Sequence, residues 1–140
     1  MPLPKIDLPV YDFTIPSSGK EIRVRPFTVK EEKLLLIAIE SKVAVDIIAT
    51  VKQVINNCIQ DDTIDVDKLP FFDIDYLFIF LRAKSVGDEV AVSLTCNNIL
   101  ENGEECGHNF EVQADVGNVE LIRHDDVEDD IKLGPAAGVR

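Results

Sequence analysis

The segment that most constrains the fold is a short, almost wholly apolar stretch that follows Pro70. Residues 71–81 are FFDIDYLFIFL, and residues 71–86 hold five of the nine aromatic side chains in the chain. Proline is tolerated at the start of a helix, so the pattern predicts a helix from residue 71 to about residue 86. Apolar side chains on every face of a helix need cover on every side. The helix is therefore expected to be a core helix or a contact surface for another protein, and the sequence leaves both open.

Two alternating segments near the start of the chain predict a β-hairpin. Residues 11–15 (YDFTI) and 21–25 (EIRVR) alternate apolar and polar side chains, as half-buried strands do. The residues between them, Pro-Ser-Ser-Gly, are turn formers. In this hairpin Ile22 and Val24 are expected to face the core, and Arg23 and Arg25 to face solvent or a partner.

The next segment predicts a helix that starts at a capping box. Thr28 and Glu31 have the spacing at which each side chain accepts a hydrogen bond from the backbone amide of the other. The helix is expected to run from residue 29 to about residue 41. Its centre is apolar on all sides, so it is predicted to be buried or covered by a neighbour.

A second, amphipathic helix is predicted from about residue 43 to residue 60. Cys58 lies inside its apolar stripe, and a core thiol is the favoured interpretation of that position. Residues 61–67 alternate carboxylates, but they lack the glycine and the terminal glutamate of a calcium loop. We therefore interpret them as a solvated acidic loop.

The last third of the chain predicts strands. Residues 89–96 and 108–116 alternate apolar and polar side chains and predict two antiparallel strands joined by a polar loop. Residues 119–123 and 131–133 are shorter strand candidates. The whole chain thus predicts an α+β fold with an N-terminal β-hairpin, a three-helix α region and a C-terminal antiparallel β-rich region.

Three segments are expected along the chain. Residues 1–10 are Pro-rich and predict an extended N-terminal arm. Residues 11–86 form the hairpin plus helical domain. Residues 87–140 form an acidic β-rich region, which is expected to continue beyond residue 140 in the full-length protein.

The net charge of −12 is unevenly distributed. Residues 1–86 carry 13 acidic and 11 basic side chains, whereas residues 87–140 carry 13 acidic and only three basic ones. A field of this sign repels phosphate backbones, so no nucleic-acid binding is expected. The acidic half is interpreted as a solvated surface, with a basic partner as the alternative. No apolar run approaches the roughly 20 residues that cross a bilayer, so no membrane contact is expected either.

One cluster suggests metal chemistry. Cys96, Cys106 and His108 are predicted to lie on the same side of the second hairpin, as in a zinc-ribbon knuckle. A structural zinc site needs four ligands, usually from two closely spaced pairs, and no Cys-x-x-Cys occurs in the sequence. Reduced structural thiols are therefore favoured, no cofactor is expected, and zinc stays an alternative. Nucleophile-elbow and phosphate-loop motifs are also missing, so the protein is predicted not to be an enzyme.

Four blocks of sequence carry a family resemblance: residues 11–16 (YDFTIP), 25–36 (RPFTVKEEKLLL), 68–78 (KLPFFDIDYLF) and 81–87 (LRAKSVG). Together they resemble the baseplate hub subunit family of T-even-type contractile-tailed bacteriophages, over roughly residues 9–135. The resemblance implies a non-enzymatic, late structural protein of the virion tail baseplate, present in the host cytoplasm during assembly. An assembly chaperone or catalyst of hub formation that leaves the particle is the alternative, as is a zinc-ribbon-like binding module.

The implied partners are other baseplate or tail proteins in a multi-subunit complex. The side chains that we expect to make these contacts are the aromatic residues of the third helix and nearby basic residues: Phe71, Phe72, Tyr76, Phe78, Phe80, Arg23, Arg25, Arg82 and Lys84.

Overall fold

The computed structural model describes Pro4 and residues 7–126, 131–134 and 137–139 of the chain. Its elements, in chain order, are β1 (Tyr11–Thr14), β2 (Glu21–Val24), α1 (Val29–Ser41), α2 (Ala44–Cys58), a 3₁₀ turn (Val66–Lys68), α3 (Phe71–Ser85), β3 (Glu89–Thr95), β4 (Asn109–Asp115), β5 (Ile131–Gly134) and β6 (Ala137–Val139). Each of the three strand pairs is antiparallel. The predicted α+β class is confirmed.

The first hairpin forms as predicted. Phe13 faces Ile22 across the strands, and both side chains are buried, as is Val24. The turn closes where the Ile15 N–H donates to the Lys20 carbonyl at 2.9 Å. Gly19 adopts a φ of 68° in this turn, a left-handed conformation that glycine takes without steric cost.

The hairpin and the helices share one hydrophobic core. Aromatic contacts join the hairpin to α3, with the ring centroids of Phe13 and Phe80 5.1 Å apart. A fully buried Leu, Ile or Phe side chain stabilises the fold by about 2 kcal/mol, so the core as a whole outweighs any single polar contact. The buried members are Phe13, Ile15, Ile22, Val24, Phe27, Leu35, Val54, Ile55, Cys58, Val66, Ile74, Leu77 and Leu81.

The chain that leaves α2 pairs with the free edge of β2. The Arg25 N–H donates to the Cys58 carbonyl, and the Gln60 N–H donates to the Arg23 carbonyl, both at 2.9 Å. Ile59 is extended and forms a β-bridge with Val24. Helix α2 therefore ends at Cys58, two residues before the predicted end, because the edge of β2 offers backbone partners that a further helical turn would forgo.

The C-terminal region confirms some strand predictions and corrects one. The second hairpin forms at β3 and β4, and β5 includes the predicted strand at 131–133. Residues 119–123 were predicted as a strand, and this was wrong. The Val119 carbonyl accepts from the Tyr76 hydroxyl at 3.4 Å, and the Arg123 side chain donates to the Pro16 carbonyl. Hydrogen bonds to α3 and to the turn of the first hairpin thus hold this segment, instead of a neighbouring strand.

Only part of the predicted N-terminal arm is described. Pro4 and residues 7–10 carry no regular secondary structure and are exposed. Residues 1–3, 5 and 6 lie outside the described residues. The extended arm over residues 1–10 stays a prediction.

A buried carboxylate fixes the first turn of the chain to α3. Asp73 is only 1% exposed. It accepts a hydrogen bond from the Ser17 backbone N–H at 3.1 Å and a second one from the Ser17 hydroxyl. It also lies in the first turn of α3, where a negative charge interacts favourably with the helix dipole.

We therefore expect the Asp73→Ala substitution to lower the free energy of unfolding by about 2 kcal/mol, because it leaves the Ser17 donors without their acceptor. Urea unfolding followed by circular dichroism measures this. The matched control is Asp75→Ala, which removes an exposed carboxylate from the same helix. Equal effects of the two substitutions would contradict an anchoring role for Asp73.

Candidate protein-contact surfaces

An ion pair lies where the first hairpin meets α1 and α2. The two Nη atoms of Arg25 donate to the two carboxylate oxygens of Glu31, at 2.7 and 3.1 Å. The same carboxylate accepts from the Thr28 backbone N–H at 2.6 Å, as the predicted capping box requires. The Arg25 side chain is 20% exposed, and Glu31 is buried. Arg25 was expected to face solvent or a partner, and it is instead held by these internal contacts.

The pair shifts the titration of both partners. The hydrogen bond from Arg25 lowers the pKa of Glu31, against the opposing effect of burial. The hydrogen bond to Glu31 correspondingly raises the pKa of Arg25. The ionised form of Glu31 is thus favoured in the folded state, so the pair adds stability above the ordinary carboxyl pKa, and this stability is lost as the pH falls through the lowered pKa.

We expect Glu31→Gln to lower the free energy of unfolding at neutral pH by about 2–3 kcal/mol, because it leaves the Arg25 guanidinium partly buried without its counter-charge. The difference from the unsubstituted protein should shrink as the pH falls below the ordinary carboxyl pKa. Urea unfolding over a pH series measures both effects.

The control is Glu32→Gln, which removes the neighbouring acid from the same first turn of α1. It loses a similar helix-dipole interaction but leaves the Arg25 pair intact. Two results would contradict the role of the ion pair. One is a stability difference between Glu31→Gln and the unsubstituted protein that does not change with pH, and the other is an equal loss of unfolding free energy in Glu31→Gln and Glu32→Gln.

The predicted aromatic contact residues divide into two groups. Tyr76, Phe78 and Phe80 are half-buried, and Phe78 stacks on Phe27 with ring centroids 6.5 Å apart. Phe71 and Phe72, in the first turn of α3, are exposed, with 58% of Phe71 accessible. The helix thus contributes to the core along most of its length and leaves an aromatic pair open at its start.

The predicted basic contact residues are partly engaged within the chain. The Lys84 Nζ lies 5.2 Å from the centroid of the Tyr11 ring and 5.6 Å from that of Phe80, a cation–π arrangement. Arg82 donates to the Gly87 carbonyl at 2.9 Å. Arg23 is exposed. These three residues remain accessible enough to contact a partner, and that role stays a prediction.

Sequence reasoning missed an apolar groove between the three helices, which we call the helical groove. It encloses about 290 Å³. On α1, Leu36 and Ile39 line it and are more than half exposed, and the neighbouring Ile37 is 65% exposed. The apolar centre of α1 was the sequence signal that could have indicated the groove. A helix that is apolar on all faces has more apolar side chains than the rest of this small chain can cover. The groove is lined by Phe27, Glu32, Leu35, Leu36, Ile39, Ile47, Val51, Phe78, Arg82 and Val86.

The cysteine cluster does not assemble into a metal site in the described structure. The Cys96 N–H donates to the His108 carbonyl at 2.8 Å, so these two residues lie opposite each other at the end of the second hairpin. The His108 ring stacks on Phe110. Among the described residues, no three His, Cys, Asp or Glu side chains are placed to hold a metal ion. Reduced thiols without a cofactor stay the prediction and zinc stays the alternative, which elemental analysis of the purified protein would test.

All three thiols are free, and their surroundings differ. Cys58 is buried, and burial raises the pKa of its thiol to about 12. Cys106 is exposed. Since the thiolate is the reactive form, these surroundings predict unequal reactivity.

We expect a disulfide reagent at neutral pH to modify Cys106 rapidly in the native protein and Cys58 only after unfolding. Counting released chromophore with and without urea measures this. The Cys106→Ser control should remove a fast phase and leave the urea-dependent one. Reaction of all three thiols at one rate in the folded protein would contradict the burial of Cys58.

Comparison with known protein families identifies the family of the protein that carries these surfaces. A family model described as the T4 bacteriophage base plate protein matches residues 8–135. The chain belongs to this family of phage baseplate proteins. No curated protein and no solved structure matches the chain significantly.

Family membership gives the protein a place among the components of a T4-type baseplate, in the virion tail and in contact with other tail proteins. The resemblance noted in the sequence is confirmed, although the family description names the baseplate and not the hub. In the part of the chain that the structure describes, none of the helices is both long and apolar enough to span a bilayer.

Proposed function

We propose that this baseplate protein is a non-catalytic structural component of the hub of a contractile tail, and that it promotes hub assembly through contacts with neighbouring subunits. The observation that carries the proposal is the open apolar surface of α1 beside the helical groove. Soluble proteins that act alone rarely leave adjoining Leu and Ile side chains this exposed. A neighbouring subunit that covers Leu36 and Ile39 gains the free energy of burying them.

The buried carboxylates support a structural role as well. Glu31 is engaged by Arg25 and Thr28, and Asp73 is engaged by Ser17. Within the described residues, every buried side-chain nitrogen or oxygen has a hydrogen-bond partner. The carboxylates of Glu31 and Asp73 therefore stabilise the fold. This use of the two buried acids agrees with a structural protein and requires no catalytic role for them.

The proposal predicts that the protein is retained in mature particles. Mass spectrometry of purified virions and of isolated baseplates should detect it with the other hub proteins. Its absence from both, together with its presence in assembling cells, would overturn the structural role and favour the alternative of an assembly chaperone or catalyst that leaves.

A paired substitution tests the helical surface itself. Leu36→Gln with Ile39→Gln should change the free energy of unfolding by less than about 1 kcal/mol, because both side chains are more than half exposed. Incorporation into baseplates should nevertheless fall sharply, measured by immunoblot of purified tails after complementation. Lys33→Gln with Glu40→Gln, two exposed polar positions on the same helix, is the control. Normal incorporation of the Leu36/Ile39 variant into baseplates would contradict the proposal that a neighbouring subunit binds α1 beside the helical groove.

A further inference from the structure

We propose that the β3–β4 hairpin is a docking arm for a positively charged protein of the same tail, which packs on the apolar face of the hairpin. The inference goes beyond the hub assignment and uses a different surface from the helical groove. Either one can therefore fail without the other.

The register places the apolar side chains of the hairpin on one face. Facing pairs across the strands point to the same side of a sheet, and successive pairs alternate between sides. One face of the hairpin is apolar, and the other is polar and acidic. The apolar pairs are Val90 with Ala114, Val92 with Val112, and Leu94 with Phe110. The pairs on the other face are Glu89 with Asp115, Ala91 with Gln113, Ser93 with Glu111, and Thr95 with Asn109.

The apolar face is left open by the part of the chain that the structure describes. Four of its side chains, Val92, Leu94, Phe110 and Val112, are between 38% and 43% exposed, and Val90 is half-buried. The hairpin is a two-stranded sheet with no further strand beside it among the described residues. Two-stranded hairpins are marginally stable in water unless a partner covers one face. The open face is therefore the side on which we expect the partner to pack.

The tip of the hairpin carries one more exposed apolar side chain. Ile99 is exposed, and it forms a β-bridge with Glu105 that closes the tip loop. The side chains of Glu101, Glu104 and Glu105 are exposed around it. The tip thus combines an exposed apolar side chain with three exposed negative charges.

The negative charge of the segment indicates which kind of protein binds the hairpin. Residues 85–122 contain eight acidic side chains and no lysine or arginine. A surface of this kind attracts a partner whose apolar patch is rimmed by lysine and arginine, and complementary charges also speed the encounter. A second copy of the chain would bring an equally acidic hairpin, and like charges facing each other cost free energy. A basic tail protein is therefore the occupant that we propose.

The experiment measures binding of the purified full chain to each of the other tail and baseplate proteins of the same phage, each purified singly. We expect tight binding to at least one protein of positive net charge, weakened by added salt. Facing-pair substitutions then test the apolar face. Val92→Thr with Val112→Thr should weaken that binding by about tenfold or more, because both changes keep β-branched side chains but add hydroxyls to the contact.

The opposite face supplies a matched control. Ala91→Thr with Gln113→Thr changes a facing pair in the same two strands and should alter affinity by less than about twofold. At the tip, Glu104→Lys with Glu105→Lys should weaken binding most at low salt. Glu40→Lys with Asp75→Lys makes the same change in net charge at exposed positions elsewhere. Amide NMR spectra confirm that β3 and β4 remain paired in every variant.

Several outcomes would overturn the docking arm. One is the absence of binding to every basic tail protein. Another is an equal loss of affinity from the substitutions on the two faces of the hairpin. A third is self-association of the chain, detected by sedimentation, that the Val92/Val112 variant abolishes. A chain that binds a basic tail protein through the hairpin but is missing from virions would support the arm and overturn the structural hub role.

Discussion

The ion pair between Arg25 and Glu31 is the contact on which the arrangement of the helical domain depends. Arg25 ends the first hairpin, its side chain reaches the first turn of α1, and its backbone N–H donates to the last residue of α2. One residue thereby fixes the hairpin to two helices. The pair is mostly shielded from water, so its loss leaves a charge without a partner and costs more than the loss of an exposed surface pair.

The two halves of the chain are stabilised in different ways. In the helical domain, the shared core and the buried contacts of Arg25 and Asp73 hold elements that are distant in sequence. The β3–β4 hairpin depends mainly on its own ladder of backbone hydrogen bonds and facing side chains. A partner that covers its apolar face would therefore stabilise the hairpin far more than it would stabilise the helices.

Local signals explain which elements could be predicted. The capping box at Thr28, the proline before α3 and the turn at 16–19 each depend on neighbouring residues, and α1, α3 and the first hairpin form close to their expected bounds. The expected end of α2 and the strand expected at 119–123 were wrong, because partners from elsewhere in the chain bind those segments. Residues of the β2 edge pair with the end of α2, and Tyr76 and Pro16 hydrogen-bond to residues 119–123. The candidate surfaces were anticipated only in part: the aromatic start of α3 was foreseen, and the helical groove was not.

The sequence by itself determined most of the secondary structure, the acidic character of the C-terminal half and the baseplate family, since these follow from local patterns and from long ordered blocks of residues. Only the tertiary structure decided which apolar side chains are core and which are surface. Leu35 is buried and Ile37 is exposed, although both lie in the same apolar run. It also decided that Arg25 and Asp73 serve the interior. The reason is physical: burial depends on what packs against a residue, and Asp73 meets Ser17 across 56 positions of the chain.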